Sequence, residues 1–319
     1  MQEKDQSCVF HQKYLEGSSW TAMEFEDFLW LGTWDQQETI EEYMPYLAIP
    51  FTFGCQTSVT GHFAKQYANG ILGMARSLDE NAFLNAMVKS NAIERAAFAT
   101  CLTRMGGTLS LGGSGLARND GGARQYHLEP MTFTNIIQDH GLYSLKVNKV
   151  LVGDFCITCA EDATNDKERI ARRATLLAFR AGKGVLLDSG TTDTFLPKQA
   201  HRGLGKAWRA ATGLSMQETR VYTYGQFRSM PDIRMVFHPN TTIVIPPSSY
   251  MDGVPRDLNA TTLEEEVKRW AGSRKLTMRV YCEEPKGAVL GANAMYHYDV
   301  LYDLQDKRIG LARSFCGNQ

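Results

Sequence analysis

The 319-residue sequence has no surplus charge of either sign. Its 34 lysines and arginines face 35 acids, for a net charge of -1. Nucleic-acid binders and polybasic membrane-surface proteins carry a basic footprint, so neither is expected. Long apolar runs are also missing. None approaches the ~18 residues that read as a membrane span, so no membrane segment is expected. The polar start, Met1-Gln-Glu-Lys-Asp-Gln-Ser7, has no apolar core, and no signal peptide is expected from it. No Gly-Lys-[Ser/Thr] follows the seven glycines between Gly106 and Gly122, so hairpin turns suit them better than a phosphate cradle. No second Cys-x-x-Cys and no paired histidines accompany Cys156-Ile-Thr-Cys159. That favours a disulfide over a redox dithiol or half a zinc site, and no metal is expected.

What is present points to a folded, secretory-type body. Apolar residues make up 43% and charged residues 22%, enough to bury a sizeable core. The length suits two domains or one large one. Seven cysteines (Cys8, Cys55, Cys101, Cys156, Cys159, Cys282 and Cys316) are scattered along the chain, which suits long-range disulfides, although the number is odd. Two N-glycosylation sequons, Asn240-Thr-Thr and Asn259-Ala-Thr, agree with this.

Most of the chain reads as short strands. Thr277–Cys282 and Tyr143–Val152 alternate apolar and polar residues, with Gly153 closing the second. Phe51-Thr-Phe-Gly-Cys55 and Ile243-Val-Ile245 are short strand-like runs, the latter stopped by Pro246 and Pro247. Three stretches look helical: Glu80–Ser90, Lys198–Thr212 after Pro197, and Leu263–Ala271. Glu161–Arg173 is charged at nearly every second position and is expected to be a solvated loop. The fold class is mainly β with a few short helices.

The most informative stretch is Gly184-Val-Leu-Leu-Asp-Ser-Gly-Thr-Thr-Asp-Thr-Phe-Leu-Pro197. An apolar strand running into Asp188 places a carboxylate at the rim of a core. Gly190 allows a tight turn whose amide faces that carboxylate, and Thr191 offers a hydroxyl to orient it. For Asp-Ser-Gly alone, an ordinary turn acid is an adequate reading. The full string is far more specific.

This stretch resembles the catalytic aspartate loop in the C-terminal lobe of the pepsin-like aspartic proteases. The resemblance extends over nearly the whole chain. Gly287–Asp303 with Arg308–Ala312 is similar to that family's closing strands, and Met230–Phe237 with Ile245–Tyr250 to another C-lobe segment. Phe53–Gln56, Asn69–Ala75, and Cys101 followed by Gly106–Gly113 look like late N-lobe segments. Tyr14-Leu-Glu-Gly17-Ser18 with Trp20 is similar to the flap hairpin, whose tyrosine closes over bound peptide.

The resemblance implies a bilobal acid-protease fold with an incomplete N-terminal lobe, residues 1–128, and a C-terminal lobe, residues 129–319. It implies an endopeptidase that takes an extended peptide in the inter-lobe cleft, without cofactor, as a monomer in a secreted or lysosome-like compartment. Asp188, Ser189, Gly190 and Thr191 would form the catalytic loop, and Tyr14, Gly17 and Thr192 would contact substrate. Disulfides would draw on Cys55, Cys101, Cys156, Cys159 and Cys316. Cys55 would pair with Cys101, and Cys316 with Cys156 or Cys159, as in the beta-secretase branch.

The family's chemistry needs two aspartates that share one proton, yet only one Asp-[Ser/Thr]-Gly occurs in the sequence. Gly291, in Val289-Leu290-Gly291, lies 103 residues after Asp188. The N-lobe counterpart is Ile71-Leu72-Gly73. Equal spacing would put the first aspartate about 30 positions before Met1. Glu3, Asp5 and Glu16 lack the apolar-Asp-[Ser/Thr]-Gly context. The chain is therefore expected to lack the first aspartate and to be inactive alone. The alternative is a non-catalytic binding or inhibitor protein of the same fold.

Overall fold

The computed structural model describes residues 8–14, 17–30, 48–77, 79–80, 82–114, 127–137, 141–255, 263–270 and 272–316. Glu3, Asp5, Glu16, the sequon at Asn259 and the glycines 115, 121 and 122 lie outside them. The structure is 42% strand and 21% helix, hence mainly β. No helix among the described residues is long and apolar enough to cross a membrane.

The chain forms two compact units, Met1–Ala96 and Ala97–Gln319. The first contains β1 (Val9–Lys13), β2 (Ser19–Trp30), β3 (Ala48–Val59) and α1 (Phe83–Lys89). Its three strands form an antiparallel sheet in the order β1-β2-β3. Phe83 on α1 meets Phe51 edge-on at 5.9 Å, over buried Ile49, Leu84 and Met87. The cross-strand pair Phe25 and Phe53 is exposed, as is Phe28. Cys8 and Cys55 are both free, and the register explains why. The Glu24 amide donates to the Cys8 carbonyl, while Cys55 pairs with Met23. Adjacent residues on β2 point to opposite faces, so the two thiols face away from each other with a strand between them.

In the second unit the elements follow in chain order: β4 (Ala97–Thr103), β5 (Gly106–Leu111), β6 (Thr132–Asn135), β7 (Ser144–Leu145), β8 (Val147–Val152), β9 (Phe155–Cys156), α2 (Asp166–Arg180), β10 (Val185–Leu187), β11 (Thr194–Pro197), α3 (Ala200–Thr212), β12 (Thr219–Thr223), α4 (Tyr224–Arg228), β13 (Ile233–Phe237), β14 (Thr241–Ile245), α5 (Pro247–Tyr250), β15 (Met251–Asp252), α6 (Leu263–Trp270), β16 (Ser273–Met278), β17 (Val280–Glu284), β18 (Ala288–Leu290), α7 (Ala292–Met295), β19 (Tyr298–Asp303) and β20 (Arg308–Arg313). One five-stranded sheet runs β17-β11-β18-β10-β7 and another β5-β4-β19-β20-β6. Smaller sheets run β14-β13-β8-β9 and β12-β16-β15. The glycines at 106 and 107 open the second strand of a β4–β5 hairpin, in line with the turn reading. Asn240 is exposed in the turn between β13 and β14.

Several local expectations need correction. Glu161–Arg173 is not a loop throughout, because α2 begins at Asp166. Its start is set by Asn165, whose side chain accepts from the Glu168 amide at 3.0 Å, a standard N-cap arrangement. Arg172, Thr175, Ala178 and Phe179 form its buried stripe. The stripe was hidden because one of its members is an arginine. Pro197 ends β11 rather than opening a helix, and the β11–β17 register shifts beside it, where proline has no amide to donate. The alternating runs are each split in two, at Lys146 and at Arg279.

The expected disulfide partners also change. Cys101 bonds to Cys316, not to Cys55, and Cys156 bonds to Cys159, not to Cys316. β4 lies against β19, and β19 against β20. The chain leaving β20 thus returns over Cys101, across a sequence separation of 215 residues.

Glu168 is held by Lys206 Nζ at 2.8 Å and Arg172 Nη2 at 3.0 Å. Lys206, then Arg172 and Thr164, hold its carboxyl well below the ordinary value of 4.5. A depressed carboxylate stabilises the fold above its unfolded pKa, and that contribution fades as pH falls through and below 4.5. The melting-temperature gap between wild type and Glu168→Gln should therefore be widest near neutral pH and narrow under acid. A gap that stays constant from neutral pH to acid would refute this.

Candidate active site

β10 lies inside its sheet, with Val185 and Leu187 buried and Leu186 half-buried. It pairs in parallel with β18, Leu187 opposite Leu290, and antiparallel with β7. The ladder continues one step past the strand, where the Asp188 amide donates to the Leu290 carbonyl at 3.0 Å. The chain then turns back, the Thr191 amide donating to the Asp188 carbonyl at 3.2 Å. This turn leaves the half-buried Asp188 carboxylate at the end of an apolar strand.

Each carboxylate oxygen has its own donor. The Gly190 amide reaches Oδ1 at 3.0 Å, and the Thr191 hydroxyl reaches Oδ2 at 2.7 Å. A Cβ on residue 190 would stand 3.2 Å from Oδ1, so glycine serves here through close approach. Ser189 and Thr192 are exposed on the same loop.

The loop is held from the other side by residues outside the expected set. The Ala292 amide donates to the Thr191 carbonyl at 2.7 Å, and the Asn293 amide to the Thr192 carbonyl at 3.2 Å. Gly291 permits this contact, since a Cβ there would fall 2.6 Å from the Thr191 carbonyl oxygen and 2.2 Å from that of Asp193. Buried Asn293 accepts from the Thr194 hydroxyl at 2.7 Å and donates to the Arg279 carbonyl at 2.9 Å. The Arg279 guanidinium binds Asp252 at 2.6 Å and lies 3.8 Å from Asp193. Partial burial pushes the Asp193 carboxyl up, against the pull of Arg279. Below lies an aromatic group in which Tyr302 stacks on Phe98 at 4.4 Å and meets Tyr143 at 4.6 Å. Burial pushes the Tyr302 phenol upward, and the Asp188 charge adds to this. The Leu290-Gly-Ala-Asn293 string was legible in sequence, but nothing in it announced which backbone it would grip.

Tyr14 and Gly17 belong to the first unit, at the turn joining β1 and β2. The Tyr14 amide donates to the Ser18 carbonyl at 2.9 Å. Gly17 has φ of 96°, a conformation that favours glycine. The Trp20 indole donates to the Tyr14 hydroxyl at 3.4 Å, and the Tyr14 ring meets Phe63 at 5.0 Å. Ile71 and Leu72, expected from the sequence to be counterparts of Val289 and Leu290, are 54% and 39% exposed. A Cβ on Gly73 would meet no atom within 4 Å.

Asp188 thus ends an apolar strand with each of its two oxygens separately held. The sequence model of the eukaryotic aspartyl proteases matches residues 8–314. The chain belongs to this family. Aspartic protease 5 of Toxoplasma gondii is similar at 30% identity over 109 residues, covering 33% of the aspartyl-protease chain described here and 10% of that relative. Members of the pepsin-like family bind peptides in a cleft, and typically work outside the cell or in lysosomes.

Proposed function

We propose that residues 1–319 form the body of an aspartic endopeptidase, with Asp188 as one carboxylate of its catalytic pair. The observation that carries this is the Asp188 carboxylate, oriented at both oxygens by Gly190 and Thr191. The second carboxylate comes on a loop that residues 1–319 do not contain, seated against Ile71-Leu72-Gly73 as the loop after Asp188 is seated against Val289-Leu290-Gly291. On this reading residues 1–128 belong to the N-terminal lobe and 129–319 to the C-terminal lobe, and the chain is inactive alone.

Two like charges so close cannot both ionise cheaply, so the pair holds one proton. The charged carboxylate takes a proton from water as the water oxygen bonds to the peptide carbonyl carbon. The protonated one gives its proton to the carbonyl oxygen. Collapse of the tetrahedral adduct breaks the C–N bond, and nitrogen leaves with a proton. The substrate is an extended peptide bound through main-chain hydrogen bonds as an added strand, with Tyr14 and Gly17 closing over it and Thr192 beside it. The two disulfides and the exposed Asn240 turn support a secretory-pathway location. The protein acts as a monomer.

A second reading, a non-catalytic binder of the same fold, is favoured by the single Asp-[Ser/Thr]-Gly in the sequence. The two are separated by assaying acid-pH cleavage of an unfolded protein. Residues 1–319 alone should leave it intact, and the chain extended upstream by its encoded sequence should cut it. Cleavage by residues 1–319 that Asp188→Asn abolishes would defeat the two-carboxylate account. An extended chain that binds peptide without cutting it would establish the binder.

A further inference from the structure

Between α2 and α3, apart from the Asp188 loop, lies a cavity of about 440 Å³, within the ~300–1,000 Å³ range of small-ligand sites. Its apolar lining includes Phe155, Ile157 and Ala171. Four cations, Lys167, Arg172, Arg202 and Lys206, line it against one carboxylate, Glu168. That carboxylate is already bonded to Lys206 and Arg172.

The cationic wall is built rather than incidental. Arg172 is only 7% exposed. Its Nη1 donates to the Cys159 carbonyl at 3.1 Å, and its guanidinium lies over the Phe155 ring at 4.6 Å. Its buried Nε has no hydrogen-bond partner among the described residues. Lys206 sits over the same ring at 5.0 Å. Lys167 and Arg202, both exposed, form no ion pair among the described residues. A cavity with apolar walls and a positive surplus suits a ligand with an apolar body and a negative head.

We propose that this cavity binds an amphiphilic organic carboxylate, its head toward Arg202 and Lys167 and its body along Phe155, Ile157 and Ala171. The proposal is independent of the peptidase reading, because no residue of the Asp188 loop lines the cavity.

The test is fluorescence titration of the full 319-residue chain with 11-(dansylamino)undecanoic acid. Saturable one-to-one binding is expected, weakened by about ten-fold or more in the Lys167→Ala/Arg202→Ala double variant, and similarly for the probe's methyl ester. Both residues are exposed, so the double variant should keep the wild-type circular dichroism spectrum. Ala171→Trp, which places a bulky ring in the cavity, should abolish binding, and Asp188→Asn should leave it unchanged. Equal binding of the acid and its ester, undiminished binding by the double variant, or no saturable binding up to about 1 mM would overturn the proposal. Loss of binding in Asp188→Asn would place the probe at the peptidase site and overturn it too.

Discussion

Gly291→Ala should destabilise the second unit by about 3 kcal/mol or more, whereas Gly73→Ala in the same chain should change stability by no more than about 0.5 kcal/mol. The backbone at Gly291, with φ of -77° and ψ of -174°, suits any residue, so the cost is steric. A Cβ would fall 2.2 Å from the Asp193 carbonyl oxygen and 2.6 Å from that of Thr191, and both atoms belong to backbone that cannot swing aside. Relief requires the loop after Asp188 to lift, breaking the bonds from the Ala292 and Asn293 amides. Hydrogen-exchange mass spectrometry on peptides spanning 185–196 and 288–295 would read the loss locally. Gly73 closes the apolar-apolar-Gly element that the proposed pairing matches to Val289-Leu290-Gly291, but has open space where that Cβ would go. In the chain extended upstream, Gly73→Ala should become as costly as Gly291→Ala. If Gly73→Ala stays neutral there, no loop is seated on Ile71 and Leu72, and the proposed pairing fails.

On the proposed function, Asp188→Asn in a chain extended upstream should lower kcat by about 10³-fold or more, with KM changed by less than about three-fold. The amide preserves shape. Its oxygen can still accept from the Gly190 amide, and its nitrogen can donate to the Thr191 hydroxyl, so the loop should keep its form. What is lost is the ability to pass a proton to or from water and the peptide. A fall in kcat with unfolding would mean that Asp188 acts as a structural turn acid. Retained activity would remove it from the catalytic pair.

Much of the site was legible because its parts are contiguous. Asp188, Gly190 and Thr191 lie within four positions, and turn geometry alone brings donor to acceptor. Hydrophobic runs likewise announced β10 and β14, whereas β18 was read only through the resemblance to the family's closing strands. Helix α2 was not legible, since the member that makes its buried face unusual is Arg172, which satisfies its charge on Glu168 and the Cys159 carbonyl. Burial of a paired cation leaves no apolar signal. The Cys101–Cys316 bond was hidden for another reason. Connectivity depends on which strands lie side by side, and spacing along the chain does not report that.

The amino-acid order by itself thus determined the mainly β character of the protein and the acid at the end of β10, because strand periodicity and turn chemistry act over a few residues. Its family showed only as a resemblance of whole motifs to a known one. Only the tertiary structure decided what holds in place the loop that carries that acid. The grip comes from Gly291, Asn293 and Arg279, 91 to 105 residues away, and it exists because β18 pairs beside β10 and brings backbone against backbone where a side chain would not fit.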